Sequence, residues 1–187
     1  MRSSLPAILA LSTGLSLLSA AEEPASVGHV PELKAESESK ASFKNLAPLI
    51  GALKEDSKLT LYEGLPRGRD LIDSEKKAKK TITRYSYSFY EVPNAVSEED
   101  AKRLKVLLQD PKAFEEFHGF KLCGGFHPDF ALVWKDGDAE LEFHLCFGCH
   151  EFRTWRNDAE VYGEISGAAF AGLKEILENY RKQAQQR

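Results

Sequence analysis

The chain has 187 residues, a formal net charge of −4 and three cysteines. This length is enough for one domain with a hydrophobic core, and 10% aromatic residues supply bulky side chains for that core. Acidic and basic residues are spread along the chain without a basic block, so the charge pattern argues against nucleic acid as a partner.

The first residues have the pattern of a secretion signal. Residues 1–4 form a short segment that carries a basic residue, and residues 5–18 are mostly apolar. Residues 19–21 are the small residues that a signal peptidase requires. The apolar run is too short for a retained spanning helix, and no later stretch approaches the roughly 20 apolar residues that a bilayer requires. We therefore predict a signal peptide over residues 1–21 and a mature protein, without a membrane span, in the periplasm or the extracellular space.

The mature chain divides into a tether and one domain. Residues 22–41 are rich in Glu, Ser, Ala and Pro with almost no large apolar side chains, which predicts a flexible tether. Residues 42–187 are predicted to form a single domain. It begins with a short helix whose apolar residues recur at helical spacing around Pro48, and a strand over residues 58–62 follows.

The middle of the chain alternates between helical and extended patterns. A charged helix is predicted around residues 71–80, and one strand dense in Thr, Tyr and Phe over residues 81–92. Ser97 precedes three acidic residues and a row of leucines at helical spacing, which predicts an N-capped helix. A second short helix is predicted over residues 110–119, where a proline stands in the first turn.

The C-terminal part predicts a β-hairpin, a further strand and a helix. Two β-prone runs, residues 130–135 and 139–147, flank an Asp-Gly-Asp turn signal, and a third strand is predicted around residues 152–155. Ser166 is placed to cap the terminal helix. These elements indicate an α+β domain with a small, mostly antiparallel sheet that has helices packed on one face and solvent on the other.

The hairpin brings all three cysteines together. A two-residue turn at Asp136-Gly137 would set His127 opposite Cys146, whereas the alternative loop over residues 136–139 would set Asp129 opposite Cys146. Both registers place Cys123 at the same end of the hairpin as the pair Cys146 and Cys149. The sequence therefore predicts one Cys/His cluster as the place where any chemistry occurs.

A disulfide is the first interpretation of this cluster. Cys123 would pair with Cys146 or Cys149 and clamp the hairpin to the preceding segment, since export leads to an oxidising compartment. In a redox version, Cys146 and Cys149 are an exchangeable pair and Cys123 is a resolving thiol. No activated serine is identifiable, so cysteine is the only candidate nucleophile, and a structural or redox-sensitive clamp is favoured over an enzyme.

Two cofactor sites are alternatives to the disulfide. Cys146-Phe-Gly-Cys149-His150 matches the C-x-x-C-H pattern of covalent haem c attachment, in which His150 would ligate the iron of an electron-transfer protein. Cys123, Cys146 and Cys149 with His127 or His150 would instead form a Cys3His set suited to tetrahedral zinc. The sequence leaves these alternatives open.

The chain contains three distinctive phrases, LYEGLP at residues 61–66, CGGFHPD at residues 123–129 and CFGCHE at residues 146–151. They resemble phrases of an uncharacterised family of exported bacterial proteins, and the similarity spans most of the mature domain. The resemblance implies that Cys123, His127, Cys146 and Cys149 belong to one site, and it implies no known reaction. In that family a histidine often follows the Leu-Pro of the first phrase, whereas this chain has Arg67, so no role carries over to that position.

Overall fold

The computed structural model describes residues 39–119, 124–157 and 159–182. The predicted signal peptide, residues 22–38 of the predicted tether and Cys123 lie outside this part of the chain. Ser39, near the end of the predicted tether, is buried, and its hydroxyl donates a hydrogen bond to the Tyr162 carbonyl at 2.6 Å. No helix in the described part is long and apolar enough to cross a membrane.

The helices that shape the domain are α1 (Leu46–Ile50), α2 (Arg69–Ala78), α3 (Glu98–Gln109) and α4 (Gly167–Leu177). The strands are β1 (Lys58–Glu63), β2 (Thr81–Arg84), β3 (Tyr87–Tyr90), β4 (Phe114–Glu115), β5 (Phe130–Asp136), β6 (Ala139–Cys146), β7 (Glu151–Arg156) and β8 (Ala159–Ile165). Single 3₁₀ turns follow α3 and α4 at Pro111–Ala113 and Glu178–Tyr180.

Six of the strands form one antiparallel sheet in the order β1-β5-β6-β7-β8-β4, and β2 and β3 form a separate two-stranded hairpin. Strands β5 to β8 are consecutive in the chain and make a meander, while β1 and β4 join at its two edges. The predicted α+β class with a mostly antiparallel sheet is confirmed.

The hydrophobic core lies between one face of the sheet and helices α1, α3 and α4. Alternation along β6 turns its apolar residues toward this face, and the same holds for β5. Helix α2 contributes no buried residue to the core; its Ile72 packs instead on the small cluster of Leu65 and Tyr90. The largest fully buried core side chains are Trp134, Phe130, Phe143 and Phe152.

The hairpin of β5 and β6 decides between the two predicted registers. Phe130 pairs with Leu145 and Asp136 pairs with Ala139, so the alternative based on a turn at Asp136-Gly137 is wrong. The ladder closes one residue later, at the Asp136 pair, because Gly137 takes the left-handed φ of 58° inside the turn.

The single strand predicted over residues 81–92 is also wrong, because the segment folds back as the β2–β3 hairpin. Its turn is at Tyr85 and Ser86, whose φ angles are 44° and 71°. Two successive left-handed residues are usually Gly or Asn in such turns, so the sequence carried no turn signal here. The ring of Tyr85 stacks on Trp155 with 4.2 Å between centroids, which helps to hold this backbone.

Two other elements differ from the prediction. The helix predicted over residues 110–119 is one 3₁₀ turn at Pro111–Ala113, after which β4 pairs with β8. Strand β8 itself was not predicted, since its sequence, AEVYGEI, mixes charged residues and a glycine with few apolar positions. Pairing with β7 along its whole length supplies the stability that the local sequence lacks.

Candidate functional site

The two cysteines of the CFGCHE phrase lie side by side under the protein surface. Cys146 ends β6 and Cys149 lies in the turn to β7, and their exposed fractions are 0% and 3%. Within the described residues no disulfide joins them, and the Cys149 thiol donates to the carbonyl of Gly125 at 3.3 Å. Because Cys146 follows the alternation of β6, its side chain is on the sheet face opposite the core.

Arg67 covers both sulfurs from the solvent side. Its Nη2 donates to Sγ of Cys146 at 3.3 Å and to Sγ of Cys149 at 3.5 Å, while the residue itself is exposed. The buried Leu65 anchors this segment just after β1. Gly148 permits the close approach, since a Cβ at that position would lie 2.8 Å from Nη2. No role was predicted for Arg67, since the cysteines that it contacts lie 79 and 82 positions away in the chain.

The segment before β5 closes the site from the other side. The backbone N–H of His127 donates to the sulfur of Cys146, while the His127 imidazole is hydrogen-bonded to the backbone of Pro66. Asp129 fixes the cysteine turn, because its Oδ2 accepts from the Phe147 N–H at 2.7 Å. The structure thus brings His127 and both cysteines together, through contacts of the backbone as well as of the side chains.

Hydrogen bonds lower the pKa of Cys146 below its ordinary value. The interaction with Cys149 is the largest cause, and the His127 backbone and the charge of Arg67 act in the same direction against burial and Asp129. The pKa of His127 is lowered mainly by burial and also by Arg67, so its imidazole is neutral near pH 7. The Cys146 thiol therefore ionises more readily than an ordinary cysteine thiol.

The haem pattern does not fit this geometry. Both sulfurs are buried beneath Arg67, so neither is accessible to the edge of a porphyrin. His150 has a left-handed φ of 58°, and its ring stacks on Phe170 with 3.7 Å between centroids. Covalent attachment at Cys146 and Cys149 would require both sulfurs to be exposed and this ring pair to separate.

The described residues do not form a zinc site either. There, no group of three or more His, Cys, Asp or Glu side chains is arranged to hold a metal ion. The guanidinium of Arg67, within 3.5 Å of both sulfurs, places a positive charge where the metal cation would bind. Cys123, the remaining thiol of the predicted set, lies outside the described residues, so that set as a whole stays a prediction.

A second buried polar cluster lies on β6, on the sheet face that was predicted to be solvated. His144 and Glu142 are both 0% exposed, and 2.6 Å separates His144 Nε2 from Glu142 Oε1. Arg84 of β2 donates from Nε to both Glu142 oxygens at 2.8 Å. The β2–β3 hairpin covers this row, so the expectation of a solvated face is wrong here.

Aromatic rings and pKa shifts define the state of this second cluster. The rings in contact with His144 belong to Tyr85, Tyr87, Phe89 and Trp155. Burial is the main cause that lowers the pKa of His144, so its imidazole is neutral. Burial alone would raise the pKa of Glu142, but hydrogen bonds from His144 and Arg84 outweigh it and leave that pKa lowered. Glu142 is therefore a buried carboxylate.

Comparison with known proteins assigns the chain to no family. No family model matches the chain, and no curated protein matches it. A solved structure described as "Putative Lipoprotein from Clostridium perfringens" is 12% identical, with a TM-score of 0.38, and the similarity covers 76% of this chain and 96% of that chain. No conclusion about function follows from so low a TM-score.

Proposed function

We propose that this chain is an exported protein in which Cys146 and Cys149 form a redox-sensitive thiol–disulfide site. One observation carries the proposal: the two buried sulfurs lie beneath the guanidinium of Arg67, within 3.5 Å of the same nitrogen, Nη2. Export is inferred from the N-terminal sequence, and it would place the thiols in an oxidising compartment. We also propose that the chain is a member of the uncharacterised exported family, on the basis of its LYEGLP, CGGFHPD and CFGCHE phrases.

The chemistry is a reversible two-electron oxidation. Two thiols give up two electrons and two protons to an oxidant and become the Cys146–Cys149 disulfide. Neither sulfur of the disulfide carries a negative charge, so the attraction between Arg67 and the Cys146 thiolate is lost on oxidation. Arg67 therefore stabilises the reduced form, which makes the disulfide easier to reduce than an ordinary structural one.

The test is disulfide mapping by mass spectrometry on protein secreted from cells and purified without reductant. We expect a disulfide between Cys146 and Cys149 that forms and opens reversibly as the ratio of reduced to oxidised dithiothreitol is varied. The variant Cys123→Ser should keep this transition, and Cys149→Ser should abolish it.

Other results of the same experiment would contradict the proposal. A disulfide from Cys123 to Cys146 or Cys149 that resists reduction would indicate a structural clamp. A pair that stays fully reduced in oxidising buffer would exclude both kinds of disulfide. Covalently bound haem or stoichiometric zinc, measured by intact mass, optical spectrum and metal analysis, would establish one of the cofactor alternatives instead.

A further inference from the structure

The chain after α4 folds back onto the end of the sheet that carries the thiol pair. Arg181 donates from Nη2 to Oδ1 of Asp129 at 3.0 Å, and the N–H of Lys182 donates to Oε2 of the buried Glu63 at 3.0 Å. We call Arg181 and Lys182 the C-terminal segment. Glu63 pairs with Phe130 where β1 and β5 meet. The C-terminal segment therefore contacts both strands at the ends that lead to the residues around the two sulfurs.

Asp129 connects this segment to the cysteine turn. While Oδ1 accepts from Arg181, Oδ2 accepts from the N–H of Phe147 at 2.7 Å. Phe147 is one of the two residues between Cys146 and Cys149, so its backbone helps to set the separation of the two sulfurs. With a donor on each oxygen, the carboxylate has one fixed orientation, and both bonds are of the strong, charge-assisted kind.

The contact between Arg181 and Asp129 differs from an ordinary surface ion pair. The exposed fractions of the two side chains are only 22% and 23%. The guanidinium is also bonded through Nε to Glu178 at 2.9 Å, and it lies over the ring of Phe130 at 5.0 Å from the centroid. Because these contacts already fix the Arg181 side chain, the bond to Asp129 loses less to side-chain entropy than an exposed pair would.

From these contacts we infer that the C-terminal segment controls the redox equilibrium of the Cys146–Cys149 pair, with Arg181 as a positioning residue that acts through Asp129. The inference rests on the proposed function and deepens it by naming an element that regulates the same site. Two thiols that are held close together form a disulfide more readily than two thiols that are free to separate. A turn fixed through Asp129 keeps the two sulfurs close together, and a released turn lets them move apart.

The experiment measures the equilibrium constant for disulfide formation in the full mature chain, in buffers of reduced and oxidised dithiothreitol at fixed pH. The pair loses two electrons and two protons, and oxidised dithiothreitol takes them up. We expect Arg181→Met to lower the equilibrium constant about 5-fold, since methionine can still pack on Phe130 but cannot bond to Asp129. An equilibrium constant does not depend on how quickly a reagent reaches the buried sulfurs.

A double-variant cycle tests whether Arg181 acts through Asp129. Asp129→Ala removes the acceptor of the Phe147 N–H, so it should lower the equilibrium constant at least as much as Arg181→Met does. In the Asp129→Ala background, Arg181→Met should have no further effect, because the link is already broken. Equal effects of Arg181→Met in the two backgrounds would overturn the inference.

Arg103→Met is the matched control. Arg103 also bonds to a carboxylate, that of Glu175 at 2.9 Å, but this pair joins α3 to α4. The control should leave the equilibrium constant unchanged. If circular dichroism shows that Arg181→Met does not fold, Arg181→Lys takes its place. It keeps the cation and loses the planar fork, so it should lower the equilibrium constant by a smaller factor.

Amide hydrogen exchange on the reduced protein gives a readout that does not depend on disulfide formation. The Phe147 N–H should exchange about 5-fold faster in Arg181→Met than in the natural chain, and its exchange should be unchanged in Arg103→Met. Faster exchange with an unchanged equilibrium constant would mean that Arg181 supports only the structure of the turn, which would overturn the inference.

The remaining outcomes separate this inference from the proposed function. A natural chain that forms no Cys146–Cys149 disulfide in any of the buffers would overturn the proposed function, and the inference with it. A natural chain that forms the disulfide, with an equilibrium constant that Arg181→Met raises or leaves unchanged, would overturn the inference alone.

Discussion

Replacing Arg84 with Met lowers the free energy of unfolding by about 3 kcal/mol at neutral pH. Glu142 is fully buried, and it keeps its charge because Arg84 and His144 hydrogen-bond to it. Without the guanidinium, a buried carboxylate has only a neutral histidine as its side-chain partner, and burial of an unpaired charge is strongly destabilising. Urea unfolding followed by circular dichroism measures the change.

The pH dependence of the unfolding free energy distinguishes the effect of an unpaired Glu142 carboxylate from the loss of packing by the Arg84 side chain. In the natural chain the folded-state pKa of Glu142 is lowered, so its contribution to stability is present above the unfolded carboxyl pKa and is lost as pH falls through the folded one. In Arg84→Met, burial dominates and raises that pKa, so the variant should gain stability as pH falls from neutral.

A double variant controls for the missing side chain. Arg84→Met with Glu142→Gln leaves no unpaired carboxylate, and we expect it to recover most of the stability lost in the single variant. If the double variant were as unstable as Arg84→Met, or if the loss were the same at every pH, the packing of the Arg84 side chain would be the cause instead.

Gly64→Ala is the second substitution with a large expected effect, about 3 kcal/mol of lost stability. The added Cβ would lie 2.0 Å from the carbonyl oxygen of Pro128 and 3.1 Å from that of Asp129, and backbone atoms cannot rotate out of the way. The Gly64 N–H also donates to the Asp129 carbonyl at 2.7 Å, so moving the strands apart breaks this bond.

The same substitution reports on the thiol site. The segment that the added methyl group displaces continues into His127 and Gly125, which contact the two sulfurs, so alkylation of Cys146 should become faster. Gly167→Ala is the control, since no heavy atom lies within 4 Å of its Cβ and the residue is at the start of α4. Its stability should change by less than about 1 kcal/mol. Similar losses in both variants would contradict the steric explanation.

Elements specified by local contacts were predictable from the sequence. Helix α3 begins as expected, because Ser97 Oγ accepts from the Asp100 N–H, and Ser166 caps α4 through the Ala169 N–H in the same way. Each cap joins residues three positions apart, so the pattern is visible in one short stretch of sequence. The predicted β5–β6 hairpin was recognised for the same reason, although its register was fixed only by the complete ladder.

Features that depend on distant residues were not predictable. Arg67 meets Cys146 from 79 positions away, and Arg84 meets Glu142 from 58 positions away. Nothing in the spacing of either pair indicates a contact, because the sheet order brings them together. The β2–β3 hairpin shows the same limit, since Tyr85 and Ser86 adopt turn angles that stacking on Trp155 supports and that their residue types disfavour.

The strand order has a consequence for when the domain folds during synthesis. Strand β1 pairs with β5, and α3 packs on α4, so the main core of the domain joins apolar residues of the first half of the chain to residues that are translated later. Contacts of such long sequence separation form late, and the core closes only once the last helix has left the ribosome. A chain of this kind cannot complete its core while it is being translated, and an incomplete core leaves a polypeptide easier to thread through a narrow channel.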